Sequence, residues 1–244
     1  MTLAPWEWAI AISAAVLIGI AKTGFGGLGM LSVLLFAQLM PAKQATGIVL
    51  PLLCFGDIIA AFYYRQHAKW VHLWRLFPWT AAGVVVGYFT LGRITDQQAR
   101  QMIGAIVLAL VTLHLIRRRG AAGREGEHGW WFAPTIGILA GFTTLIANAA
   151  GPLMAIYLLA MRLPKMDYVG TGAVFFLLMN LFKVPFMVNL GLITWSSFQL
   201  NLMLALPVVA GTMVGRRILT RVDQRMFENI VLFVSAGAGV KLLF

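Results

Sequence analysis

Three ionisable side chains lie inside apolar sequence. Lys22 follows "PWEWAIAISAAVLIGIA", Asp57 sits within "GIVLPLLCFGDIIAAF", and Lys183 sits within "VFFLLMNLFKVPFMV". A charge surrounded by residues of that kind is costly, so each is a candidate functional group. A lysine ammonium is a natural partner for an anion. It gains from nearby hydroxyls, amides and helix N-termini, which donate hydrogen bonds or present a positive dipole end. Lys22 opens "AKTGFGGLGM" (21–30), with glycines at 24, 26, 27 and 29. Glycine weakens a helix by roughly 1 kcal/mol relative to alanine, so a broken helix is expected there. A second interruption, "TTLIANAAGP" (143–152), again joins small residues to one polar group, Asn148.

Together these stretches outline half-sites for a small anion. The candidate binding residues are Lys22, Thr23, Gly26 and Gly27 in the first, and Asn148, Ala149 and Gly151 in the second. Thr171, Asn180 and Lys183 add donors from a later apolar segment, where Asn180 and Lys183 share a helix face. Asp57 is a candidate for charge pairing or for coupling to an ion. Simpler roles compete. Lys22 could snorkel to an interface, and its glycines could serve close helix contact. Lys183 could be the salt-bridge partner of Asp57, and Thr171 could bond its own helix carbonyl. Tyr63, Tyr64, Trp6 and Trp8 read as interfacial anchors.

Other chemistries find no footing. His67 and His72 are five apart in a basic loop, and no carboxylate or cysteine completes a metal site with them. No glycine-rich phosphate loop leads into Lys-Ser/Thr. The chain is therefore expected to be no enzyme and to need no cofactor or metal.

The elements that must position these groups follow from composition. The chain has 244 residues, 60% hydrophobic and 11% charged. A soluble domain is nearer a quarter charged. Apolar blocks recur from end to end at 5–21, 27–40, 44–64, 71–91, 98–116, 130–146, 149–161, 167–189, 195–215 and 225–243. This is the pattern of an all-α polytopic membrane protein, with the lipid bilayer as its solvent. It excludes a soluble bundle, whose helices need polar faces. The formal net charge of +11 is assigned to orienting loops and not to nucleic acid. The single cysteine, Cys54, forms no internal disulfide. The first 21 residues, free of Lys and Arg, are expected to be a retained helix.

Charge also addresses topology. If 5–21 with 27–40, and 130–146 with 149–161, are hairpins, thirteen Lys and Arg fall on one side and four on the other, with Lys22 and Lys183 inside. If each pair is one broken span, the split is eight to nine. The positive-inside bias selects the hairpins and places both termini in the periplasm. Five segments per half then make the halves inverted. "AAGVVVGYFTLGRI" (81–94) against "ALPVVAGTMVGRRI" (205–218) shares six of fourteen positions, setting Gly87 on Gly211. Shifted by one residue, the register sets Pro41 on Pro164, Gly47 on Gly170 and Asp57 on Asn180. The expected architecture is two inverted-topology repeats of about five segments each, residues 1–116 and 130–244, joined by a basic cytoplasmic linker at 117–129. Broken or re-entrant helices lie near the midplane.

The quoted stretches resemble the TauE/SafE sulfite exporter family. The likeness rests on "GIAKTGFGGLGMLSVLLFA", "PAKQATGIVLPLLCFGDIIAAFYYRQHAKWVHLWRLFP" and "GFTTLIANAAGPLMAIYLLAMRLPKMDYVGTGAVFFLLMNLFKVPF", with the glycine-containing helix near 211, and spans about residues 10–240. The resemblance implies a multi-pass permease of the bacterial inner membrane. It would move sulfite, sulfonates or related organosulfur anions, export being the expected direction, by alternating access. Protons or another ion would provide coupling. An anion channel, or a carrier for a different small organic anion, is the alternative.

Overall fold

The computed structural model describes residues 4–23, 28–91 and 129–223, with isolated positions between 93 and 112 and between 226 and 237. Among them the regular structure is helical: α1 (Pro5–Ala21), α2 (Leu28–Leu39), α3 (Ala42–Tyr64), α4 (Trp70–Leu91), α5 (Phe132–Ala147), α6 (Gly151–Ala160), α7 (Lys165–Asn189) and α8 (Trp195–Arg221). A single 3₁₀ turn, Arg65–His67, links α3 to α4. The apolar blocks at 98–116 and 225–243, the linker at 117–128, and Gly26 and Gly27 lie outside the described residues or nearly so.

Three helices, Lys43–His67, Lys165–Asn189 and Trp195–Arg221, are long and apolar enough to cross a membrane. The outer surface agrees. Phe62, Val71, Trp74 and Leu206 are 68–77% exposed, a display of large apolar groups that water penalises and hydrocarbon accepts.

Local sequence sets the element ends. Pro41 and Pro164 cap α3 and α7 with matching extended conformations, φ −52° and −53°, since proline cannot continue a helix backwards. Asn148 ends α5 in the left-handed region at φ 51°, where asparagine is tolerated better than most residues. The helix α8 outruns its apolar block by six residues. Its last carbonyls, Leu219 and Val222, accept hydrogen bonds from the Lys165 ammonium, and a cation at a helix C-terminus is favourable.

Close glycine contacts fix the helix directions. Gly211 of α8 abuts the Val16 carbonyl of α1, and Gly215 abuts Ile20, so α1 and α8 run the same way. In the other half Gly83 of α4 abuts the Ile138 carbonyl of α5, and Gly87 abuts that of Phe142, again the same way. A Cβ at Gly83 or Gly211 would collide with backbone, which is why glycine stands there. The two contacts are alike in geometry. They match Gly83 with Gly211 and Gly87 with Gly215, one helical turn away from the sequence alignment that set Gly87 on Gly211. One turn returns a helix to the same side, so both pairings put glycine on the same face.

The helices α3 and α7 run oppositely. Gly47 abuts Leu192, Asp57 meets Asn180, and Gly170 abuts Tyr64. Gly56 also faces Val208, so α3 runs with α8, and therefore with α1. The helix between them, α2, must come back. By the same logic α4 runs with α7, through Phe77–Phe182 and Tyr88–Asn189, and α6 comes back between α5 and α7. The hairpin arrangement is the one these contacts allow.

Candidate functional site

The end of α1, the middle of α3, the start of α6 and the first half of α7 enclose a cavity of about 20 Å³. Its lining shows why. Gly151, Met154, Ala155 and Leu158 form one face of α6, at helical spacing. Val169, Gly172, Ala173 and Phe176 form the facing stripe of α7. Small residues on both keep the helices from filling the space. Lys22 and Asp57 supply the polar end.

The two charges meet there. Lys22 Nζ lies 2.7 Å from Asp57 Oδ1, with the lysine side chain 9% exposed and the aspartate fully buried. The ammonium also sits 5.1 Å from the centre of the Phe176 ring, a cation–π contact. The second carboxylate oxygen accepts a 2.6 Å bond from Asn180 Nδ2. Both oxygens are thus engaged by groups from two other helices, which offsets the cost of a buried charge.

Lys183 lies on the same face of α7 as Asn180, one turn on. Its Nζ is 3.0 Å from the Thr144 carbonyl, 2.9 Å from Thr144 Oγ1 and 2.6 Å from Asn148 Oδ1. Asn148 Nδ2 donates in turn to the Thr46 carbonyl of α3 at 3.0 Å. Two polar clusters therefore lie in the core, Lys22 with Asp57 and Asn180, and Lys183 with Asn148 and Thr144.

Several expectations change on this geometry. The salt-bridge partner of Asp57 is Lys22 and not Lys183, because Lys183 points to the α5 terminus. Lys22 does not snorkel outward; its ammonium is held inside by the carboxylate. Thr171 is not bonded to its own helix; its hydroxyl accepts from the Lys69 backbone N–H at 2.9 Å and ties the α3–α4 turn to α7. Thr23 is buried and donates to the Ile20 carbonyl at 2.8 Å. Ala149 is buried at the α5–α6 turn without lining the cavity, whereas Gly151 does line it. Lys22 and Gly151, from the two interrupted stretches, thus come together at one cavity.

Sequence reasoning missed Met154, Ala155, Leu158, Gly172 and Phe176. Their signal was present as the small-residue spacing of two apolar segments, but only the meeting of α6 with α7 makes it a wall. Among the described residues no group of three or more His, Cys, Asp or Glu could hold a metal ion.

The fold, with a buried ion pair beside a cavity and an outer surface that suits lipid, is that of an integral membrane protein. The family described as Sulfite exporter TauE/SafE matches residues 11–242, and the chain belongs to that family. Comparison with curated proteins gave no match, and comparison with solved structures gave none.

Proposed function

We propose that the protein is a secondary carrier of small sulfur oxyanions, sulfite or organosulfonates, working by alternating access in the bacterial inner membrane, in the direction of export. The observation that carries the reading is the Lys22–Asp57 pair at the mouth of the α6–α7 cavity, in a chain of the TauE/SafE family. An oxyanion would take the Lys22 ammonium from Asp57, so that the carboxylate holds the lysine while the site is empty. The α6 N-terminus at Gly151 adds its dipole. Thr23, Asn148, Thr171 and Asn180 are engaged within the protein in this state, and Gly26 and Gly27 belong to the same proposed site. A cavity of about 20 Å³ holds about one water, less than a four-atom oxyanion needs. Loading therefore requires α6 and α7 to part, and such a movement is what alternating access supplies.

The two halves, 1–116 and 130–244, act in this reading as inverted repeats joined at 117–129, with both termini periplasmic. The similar glycine contacts support it. So does the Asp57–Asn180 bond, because residues matched by a two-fold and touching each other lie on its axis. The opposed directions of α3 and α7 also support it, since inverted repeats are related by an axis in the plane of the membrane.

Counterflow in proteoliposomes tests the function. Vesicles preloaded with unlabelled sulfite, or with an alkyl sulfonate, should accumulate the labelled anion transiently. Equilibration without overshoot would make the protein an anion channel. Overshoot with small carboxylates alone would move the substrate to another class.

A further inference from the structure

Lys183 occupies a cradle that fits two forms of its amine. The Thr144 carbonyl accepts only. Asn148 Oδ1 also accepts, its amide being oriented by the bond from Nδ2 to Thr46. The Thr144 hydroxyl can accept or donate. An ammonium fills the cradle with three donated bonds. A neutral amine fills it with two, and receives the Thr144 O–H on its lone pair. Both forms keep the amine itself fully bonded, so proton gain or loss here costs Lys183 none of its three partners.

Charge decides when each form is favoured. Lys183 is fully buried. The titratable groups that act on it are Asp57 and Cys54 of α3 and Lys22 of α1; α5 presents the neutral Thr144 and Asn148, and α4 presents the Phe77–Phe182 contact to this stretch of α7. Lys22 and Asp57 cancel. A protonated Lys183 then leaves the core with one uncompensated positive charge, an arrangement that buried sites avoid by releasing the proton or by gaining an anion.

We propose that Lys183 takes up one proton with each monovalent anion that enters the site, so that anion and proton move together. The inference rests on the anion-carrier reading and deepens it by naming the coupling ion and the charge of the favoured substrate form. Lys183 does not line the cavity; it acts through charge across the Asp57–Asn180 link, while Lys22 makes the contact.

Calorimetry of methanesulfonate binding to the purified protein, in chloride-free buffers of different protonation enthalpy, counts the protons. Uptake close to one per anion is expected, with affinity falling about tenfold per pH unit on the alkaline side. Asp57→Asn should abolish the uptake, because Lys22, freed of its carboxylate, then balances the anion alone. Lys183→Met should lose it, and so should Asn148→Asp, which fixes a carboxylate beside the amine and preserves side-chain volume if the methionine variant misfolds. Binding without proton uptake, or uptake kept in Lys183→Met, overturns the inference while leaving the carrier. Absence of binding at every pH overturns the carrier reading, and this inference with it.

Discussion

Lys22 and Asp57 hold each other at 2.7 Å, and removing either alone leaves the other unmatched. Lys22→Met strands a fully buried carboxylate, at a cost of about 3–5 kcal/mol. A marked drop in thermal-shift midpoint is expected, and adding Asp57→Asn should recover most of it without restoring transport. Equal midpoints for Lys22→Met and the parent would show that the pair contributes nothing to the fold. Asp57→Asn alone tests the competition between carboxylate and substrate. The ammonium would then be free for the anion, so binding should tighten while turnover falls, because nothing displaces the bound anion. Weaker binding in that variant would mean that Asp57 organises the site and does not compete for it. These effects belong to single groups, since each depends on one charge in a medium that screens it poorly.

The helices bring those groups together through closeness of backbone. The α4–α5 contact is built on Gly83, where a Cβ would run into the Ile138 carbonyl. At Gly172 on α7 a Cβ would meet only the Leu158 methyl at 3.7 Å, an ordinary contact. Gly83→Ala should therefore destabilise the protein by about 1–3 kcal/mol, the usual cost of overpacking. Gly172→Ala should leave its stability unchanged and narrow the cavity. Denaturation of the two variants side by side checks this. Similar stability would mean that α4 and α5 can separate freely, contrary to a contact made of glycine and carbonyl. The short helices α2 and α6 follow from the same geometry. Neighbours that run in one direction on both sides of them leave no course but a return.

Over the whole molecule, charge asymmetry carries the proposed orientation. The basic groups Arg65, Lys69, Arg216 and Arg217 lie at the ends of α3 and α8 and the start of α4, with Lys69 bonded to Asp167 at 2.9 Å and Arg216 stacked on the Tyr63 ring at 4.3 Å. The other end carries the α7–α8 turn. Cysteine labelling in a Cys54→Ala background tests which end faces the cytoplasm. Ser196→Cys should react with an impermeant reagent added to intact cells, and Ala121→Cys should not. The reverse pattern would invert the orientation.

Sequence by itself determined the solvent, the hairpins and, among the described residues, the helix positions. Each rests on a property summed along the chain, namely apolar length, proline and glycine placement, and the count of basic residues. It also singled out Lys22, Asp57 and Lys183, because a charge in apolar sequence is conspicuous wherever it stands. Only the tertiary structure decided which lysine pairs with Asp57, since both lie within reach of it in a linear reading and the direction of a side chain does not. It likewise showed which glycines of α4 and α8 meet a neighbouring backbone, where the sequence of small apolar residues is too degenerate to choose. The cavity wall of α6 and α7 became visible only in three dimensions, because small residues on a helix make either a contact or a space, and the packing partner settles which.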